Sequence, residues 1–170
     1  TGSIPAGLFA GIKGQPGYGM FMSTFTDCPF LSGTIPADLF AGISGEPVDM
    51  VFSGTFAGCS SLSGIGGPLF ANMTGSPYSE AFRGTFYNCS GLKGGIPDGM
   101  FGDLGCGVLH PSMTSSDPVP SGHSYCYVSG SAFYETFYGC TGLNGQSATA
   151  LGPDGKYYPL YELNFNHNNY

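Results

Sequence analysis

The chain has 170 residues, enough for one domain, of which only 9 % are charged, and its formal net charge is −7. Its four cations, Lys13, Lys93, Lys156 and Arg83, exclude a nucleic-acid surface, which needs clustered Lys and Arg to neutralise phosphates, and they argue against an anionic membrane surface too. No run of 18 apolar residues is present to span a bilayer, and the 30 glycines and 13 prolines read as turn residues because they recur with a period.

In chain order, the first repeat runs from Ile4 to about Gly33, the second from Thr34 to Gly64 and the third from Ile65 to Gly94. Each opens on one motif: Ile4-Pro5-Ala6-Gly7-Leu8-Phe9, then Ile35-Pro36-Ala37-Asp38-Leu39-Phe40, with Ile96-Pro97-Asp98-Gly99-Met100-Phe101 opening the fourth. The third opening, Ile65-Gly66-Gly67-Pro68-Leu69-Phe70, keeps the Ile-to-Phe spacing, moves the proline and has lost one residue before Ile65. Each repeat closes on Thr-Phe-x-x-Cys-x-x-Leu-x-Gly. The phenylalanines of that motif are Phe25, Phe56, Phe86 and Phe137, and the cysteines are Cys28, Cys59, Cys89 and Cys140, stepping by 31, 30 and 51 residues.

A fixed period of this size marks a repeat architecture, in which each unit buries its apolar face only against its neighbours. One repeat offers inward positions such as Ile35, Leu39, Phe40, Phe52, Phe56, Cys59 and Leu62. Burying such a side chain contributes roughly 1.5–3 kcal/mol, and chain entropy takes back about 1–2 kcal/mol per residue. A lone repeat does not stand; a stack does. The run Leu31 to Ile35 is too short for an amphipathic helix and ends at a proline, which predicts one short parallel strand per coil. Pro36 to Phe40 predicts a single helical turn with proline at its first position, and Phe52 to Phe56 predicts another. The expected fold is a repeat solenoid with little long helix: four coils over 1–145 and a C-terminal cap or tail over 146–170.

The fourth coil is interrupted. Phe101 to Phe133 spans 32 residues where the earlier coils have 12, which places an inserted loop at about 102–130. The insert holds Cys106 and Cys126, the two cysteines outside the repeat, and a disulfide closing that loop is expected in an oxidising compartment. In the tail, Tyr161, Leu163 and Phe165 alternate with polar residues at strand spacing. Thr1 enters in mid-coil, as expected of a fragment or a processed product.

The series Phe-x-x-Cys-x-x-Leu leading into Ile-Pro resembles the BspA-type leucine-rich repeats of bacterial surface proteins, over about Ile4 to Gly145. Leu31-Ser32-Gly33-Thr34-Ile35-Pro36 also looks like the Leu-x-Gly-x-Ile-Pro segment of plant-type leucine-rich repeats, without their asparagine ladder. The coils are longer than the usual 20–29 residues. The resemblance implies a leucine-rich-repeat-like fold and cell-surface adhesion, recognition or assembly without catalysis.

The chemistry of the residues points the same way. The four ladder cysteines have no Cys-x-x-Cys pair and no repeated His beside them, so they read as buried structural thiols rather than metal ligands, and no cofactor is expected. His110, His123 and His167 form no nucleophile arrangement by spacing, and the acids follow no calcium-loop pattern. The threonine ladder Thr24, Thr55, Thr85 and Thr136 reads either as a hydroxyl row for ice or glycan, or as caps and backbone bonds within the fold. Asn72-Met73-Thr74 and Asn88-Cys89-Ser90 fit the N-glycosylation pattern.

The expected function is therefore a non-enzymatic, extracellular structural protein, a subunit of a self-assembling surface filament or layer. The alternative is a monomeric cell-surface adhesion domain that binds a host protein or glycan. For assembly, the expected contacts pair Ile4, Pro5, Leu8 and Phe9 of one copy with Leu143 and the tail residues Tyr157, Tyr158, Tyr161 and Phe165 of another.

Overall fold

The computed structural model describes residues 2–103 and 131–144, and the backbone of 149–151 and 157–159. The insert with Cys106 and Cys126, and the tail residues Tyr161 and Phe165, lie outside the described residues. Two short strands, β1 (Gly33–Ile35) and β2 (Leu62–Ile65), pair in parallel. The register runs Gly33↔Leu62, Thr34↔Gly64 and Ile35↔Ile65, with an irregularity after Gly33. At the same place in the flanking repeats the strand shrinks to one parallel bridge, Gly2↔Leu31 and Gly94↔Leu143. A second row of bridges, Gly14↔Ile43, Gly45↔Met73 and Thr74↔Asp103, joins the repeats on another side. Strands β3 (Thr149–Leu151) and β4 (Tyr157–Pro159) form a separate antiparallel pair.

The expected helical turns are absent: there is no helix among the described residues. Phe52 to Phe56 belongs instead to a ribbon of overlapping turns from Val48 to Cys59. There, alternate amides bond locally and the rest bond to the next repeat. The N–H groups of Val51, Ser53, Thr55, Ala57 and Cys59 donate to the carbonyl three residues back, at 3.0–3.2 Å. Those of Met50, Phe52, Gly54, Phe56 and Gly58 donate to Ser79, Ala81, Arg83, Thr85 and Tyr87 of the next repeat, at 2.8–3.1 Å. Val51, Ser53, Thr55 and Ala57 in turn accept from Phe21, Ser23, Phe25 and Asp27 of the previous repeat. From Met50 to Cys59 every amide and carbonyl is bonded although the chain is neither helix nor sheet, as buried backbone requires.

The ribbon has a four-residue unit with every fourth residue left-handed. The positions are 19, 23 and 27; 50, 54 and 58; 80, 84 and 88; 131, 135 and 139. Non-glycine residues at these positions, such as Ser23, Met50, Asn88 and Glu135, hold φ between 54° and 62°. After the left-handed residue comes a small or β-branched buried one (Val51, Thr55, Cys59), and after Val51 and Thr55 an inward Phe and then an outward residue follow. The Thr-Phe-x-x-Cys spacing is thus the turn period itself, with x-x supplying the outward residue and the next left-handed one.

Three columns of phenylalanine fill the core. Phe21, Phe52, Phe82 and Phe133 stack at 5.2–5.5 Å between ring centroids. Phe25, Phe56, Phe86 and Phe137 stack at 5.0–5.4 Å. Phe9, Phe40, Phe70 and Phe101 stack at 5.5–5.8 Å. Rings of neighbouring columns meet edge to face, as Phe82 and Phe101 do at 4.8 Å and 71°. Offset stacks along a column and edge contacts between columns are both favourable quadrupole arrangements.

Candidate assembly face

The ladders are best read from the interior outwards. The Thr55 hydroxyl lies within bonding distance of two carbonyls, Phe52 of its own repeat at 2.8 Å and Phe21 of the previous one at 2.9 Å. Thr85 and Thr136 repeat this geometry. All three threonines are buried, so of the two readings of this ladder the backbone-bonding one matches their positions. The thiols of Cys59, Cys89 and Cys140 donate to the carbonyls of Phe25, Phe56 and Phe86 in the preceding repeat, at 2.9–3.0 Å. Burial strips these thiols of solvent and pushes Cys59 up to about 11 and Cys140 to about 12. Cys89 goes higher still, again chiefly through burial, with the neighbouring thiols adding to it. Weakly acidic, hydrogen-bonded thiols of this kind are inert struts.

The first repeat has the same residues with nothing before it among the described residues, and its geometry changes accordingly. Thr24 bonds only its own Phe21 carbonyl, at 2.9 Å. Cys28, expected to be buried, is exposed, and its thiol turns to the Thr26 carbonyl at 3.8 Å. Among the described residues no donor reaches the carbonyls of Tyr18, Met20, Met22 and Thr24, whose counterparts in the next repeat all accept a bond from the repeat before.

The apolar side chains tell the same story. Leu8, Ile12 and Met20 are 39–44 % exposed, whereas their equivalents Leu39, Ile43 and Val51 are 0–2 % exposed. Tyr18, Met22 and Phe30 are also open on this repeat. A groove of about 350 Å³ runs beside Cys28 and Phe30, between Gly2 and Leu31.

The residues expected to make an assembly contact divide. Leu8 lies on the open face. Ile4 is buried at 5 % and Phe9 packs against Phe21 and Phe40, so both belong to the core, while Pro5 is exposed. Leu143 is buried at 8 %. Tyr157 and Tyr158 lie on β4. Sequence reasoning missed Ile12, Tyr18, Met20, Met22 and Phe30. Met20 carried a usable signal, since it stands where Val51, Ala81 and Ala132 are all buried.

Among the described residues no group of three or more His, Cys, Asp and Glu is placed to hold a metal ion, and no helix is long and apolar enough to cross a membrane. No known protein family, curated protein or solved structure matches the chain.

Proposed function

We propose that this chain is a non-catalytic, extracellular structural protein: a leucine-rich-repeat-like solenoid whose copies stack head to tail into a surface filament. The observation that carries the reading is the open face of the first repeat. It offers the same carbonyl row, threonine and cysteine that the later repeats use to join their neighbours, flanked by exposed Leu8, Ile12 and Met20. The complementary partner for that row is another ribbon of the same kind. In repeats 1 to 3 the amides of the left-handed and Phe positions donate forward to the next repeat. The fourth repeat carries those positions at Ser131, Phe133, Glu135, Phe137 and Gly139, of which Phe137 is already fully buried within its own chain. A second copy seated there would continue an interface that the chain already makes three times. A contact of that kind does not close on itself and grows into a fibre. The extracellular location rests on the resemblance to bacterial surface repeats.

Light scattering and negative-stain microscopy on the 170-residue chain test the reading. Fibres one molecule wide, whose mean length rises with protein concentration, are the expected result. A monomer that persists at the highest attainable concentration would overturn it.

A further inference from the structure

The outward residues of the ribbon form columns of their own, and one of them has a gap. Tyr87 and Tyr138 stack at 5.3 Å with their planes 12° apart. The same column continues backwards through Ala57 to Thr26, so the second face of the Tyr87 ring looks out over a methyl group. The neighbouring column does the same. The Arg83 guanidinium lies over the Tyr134 ring at 5.3 Å, and the residue in front of it is Ser53. Between these two columns the floor is Gly54 and Gly84, and Glu135 closes the far side.

The result is an open notch of about 250 Å³, lined by three successive repeats. On its near side the Thr26 hydroxyl donates to the Gly54 carbonyl at 2.6 Å. Gly54 holds φ at +61°, and a Cβ there would meet the Ser23 and Thr26 hydroxyls on that near side.

We propose that this notch is a binding site for one neutral pyranose ring of a glycan. It lies on the outward face across the second to fourth repeats, apart from the open face of the first, and stands independently of filament assembly. Its chemistry selects the occupant. The free face of Tyr87 offers a flat π surface, against which the axial C–H groups of a sugar pack. The rim offers guanidinium donors from Arg83, a carboxylate acceptor from Glu135 and the Ser53 hydroxyl. Ring hydroxyls answer all three; a phenylalanine or leucine side chain would desolvate them without return. Arg83 is already paired with Glu80 at 2.8 Å, and Glu135 adds a further negative charge, so the site has no surplus cation for a sugar acid or phosphate. The volume is below the roughly 300–1,000 Å³ of drug-sized sites, which suits a single ring.

The test is a titration of the intact chain with the methyl pyranosides of glucose, galactose, mannose and N-acetylglucosamine, followed by amide NMR. At least one should shift the amides of Gly54, Ala57, Gly84 and Tyr87 together, with a dissociation constant of about 1 mM or weaker, as befits a ligand of so few atoms. Ala57→Tyr completes the aromatic column and fills the notch, and should abolish the shifts in a protein of undiminished stability. Tyr87→Ala should weaken binding at least tenfold. Absence of shifts with every glycoside overturns the proposal. So do shifts that persist in Ala57→Tyr, or an N-acetyl-tyrosine amide probe that binds as well as any sugar, which would make the notch a peptide site.

Discussion

Gly58 shows how much the ribbon asks of one position. Its φ is +75°, and a Cβ built there would run into the carboxylate of Asp27 in the preceding repeat. The column runs Asp27, Gly58, Asn88, Gly139, so a side chain alternates with a bare glycine at each step. The same rule holds between Asn88 and Gly139, where a Cβ would meet the Asn88 amide oxygen. Left-handed backbone alone costs a side chain about 1–2 kcal/mol, and the Asp27 contact adds to that in Gly58→Ala. Gly54→Ala is the control: its φ is also positive, at +61°, but its Cβ would make ordinary contacts, with the Ser23 hydroxyl at 3.4 Å and the Thr26 hydroxyl at 3.7 Å. We expect Gly58→Ala to be the more destabilising of the two in urea unfolding, and Asp27→Gly to recover part of the difference. Equal losses would mean that backbone strain alone sets the glycines.

At the scale of the element, the columns carry the stability. Phe56 is wholly buried, stacked on Phe25 and Phe86 at 5.4 Å on both faces. Phe56→Ala should cost about 3–5 kcal/mol, as large-to-small core changes do, and a loss under about 1 kcal/mol in urea unfolding would contradict the packing. The cysteine column gives a pH signature. Burial raises the folded pKa of these thiols, so the folded state holds protons that the unfolded chain gives up near pH 8.5. Their contribution is fully present below that pH and is lost as pH climbs towards 11–12. The slope is at most about 1.4 kcal/mol per pH unit per thiol. Unfolding free energies measured from neutral to about pH 9.5 should fall, and Cys89→Ala should flatten the fall by its share. The repeat period and the inward residues were legible in the sequence, because Phe56, Cys59 and Leu62 recur at fixed offsets and those are the residues at 0 % exposure. The turn ribbon was not legible. Asp27 and Asn88 are of the types that tolerate a left-handed turn, but Ser23, Met50 and Glu80 do not announce one, and Ser23 and Met50 adopt it with their amides bound to the next repeat. A window of sequence sees the four-residue Phe spacing and reads a helix; the deciding hydrogen bonds are about 30 residues away.

For the molecule as a whole, the proposed filament makes a demand that substitutions can meet or break. Met20 and Val51 occupy the same position in successive repeats, the first 44 % exposed and the second fully buried. Val51→Glu would bury a charge and unfold the chain. Met20→Glu places the same charge on the open face of the first repeat, where water still solvates it in the free molecule. If a second copy seats there, the charge becomes buried only on assembly. Met20→Glu should therefore leave the urea midpoint of the monomer within error of the parent and remove the concentration-dependent growth in light scattering. Salt supplies an independent arm. Each copy carries −7, so stacking them concentrates like charge, and screening with a Debye length of about 8 Å at physiological ionic strength relieves it. Apolar contact plus screened repulsion predicts fibres that lengthen as salt is raised, whereas assembly through ion pairs would shorten them. Growth that survives Met20→Glu, or that falls with salt, would place the contact somewhere other than the first repeat's face and return the chain to the adhesive reading.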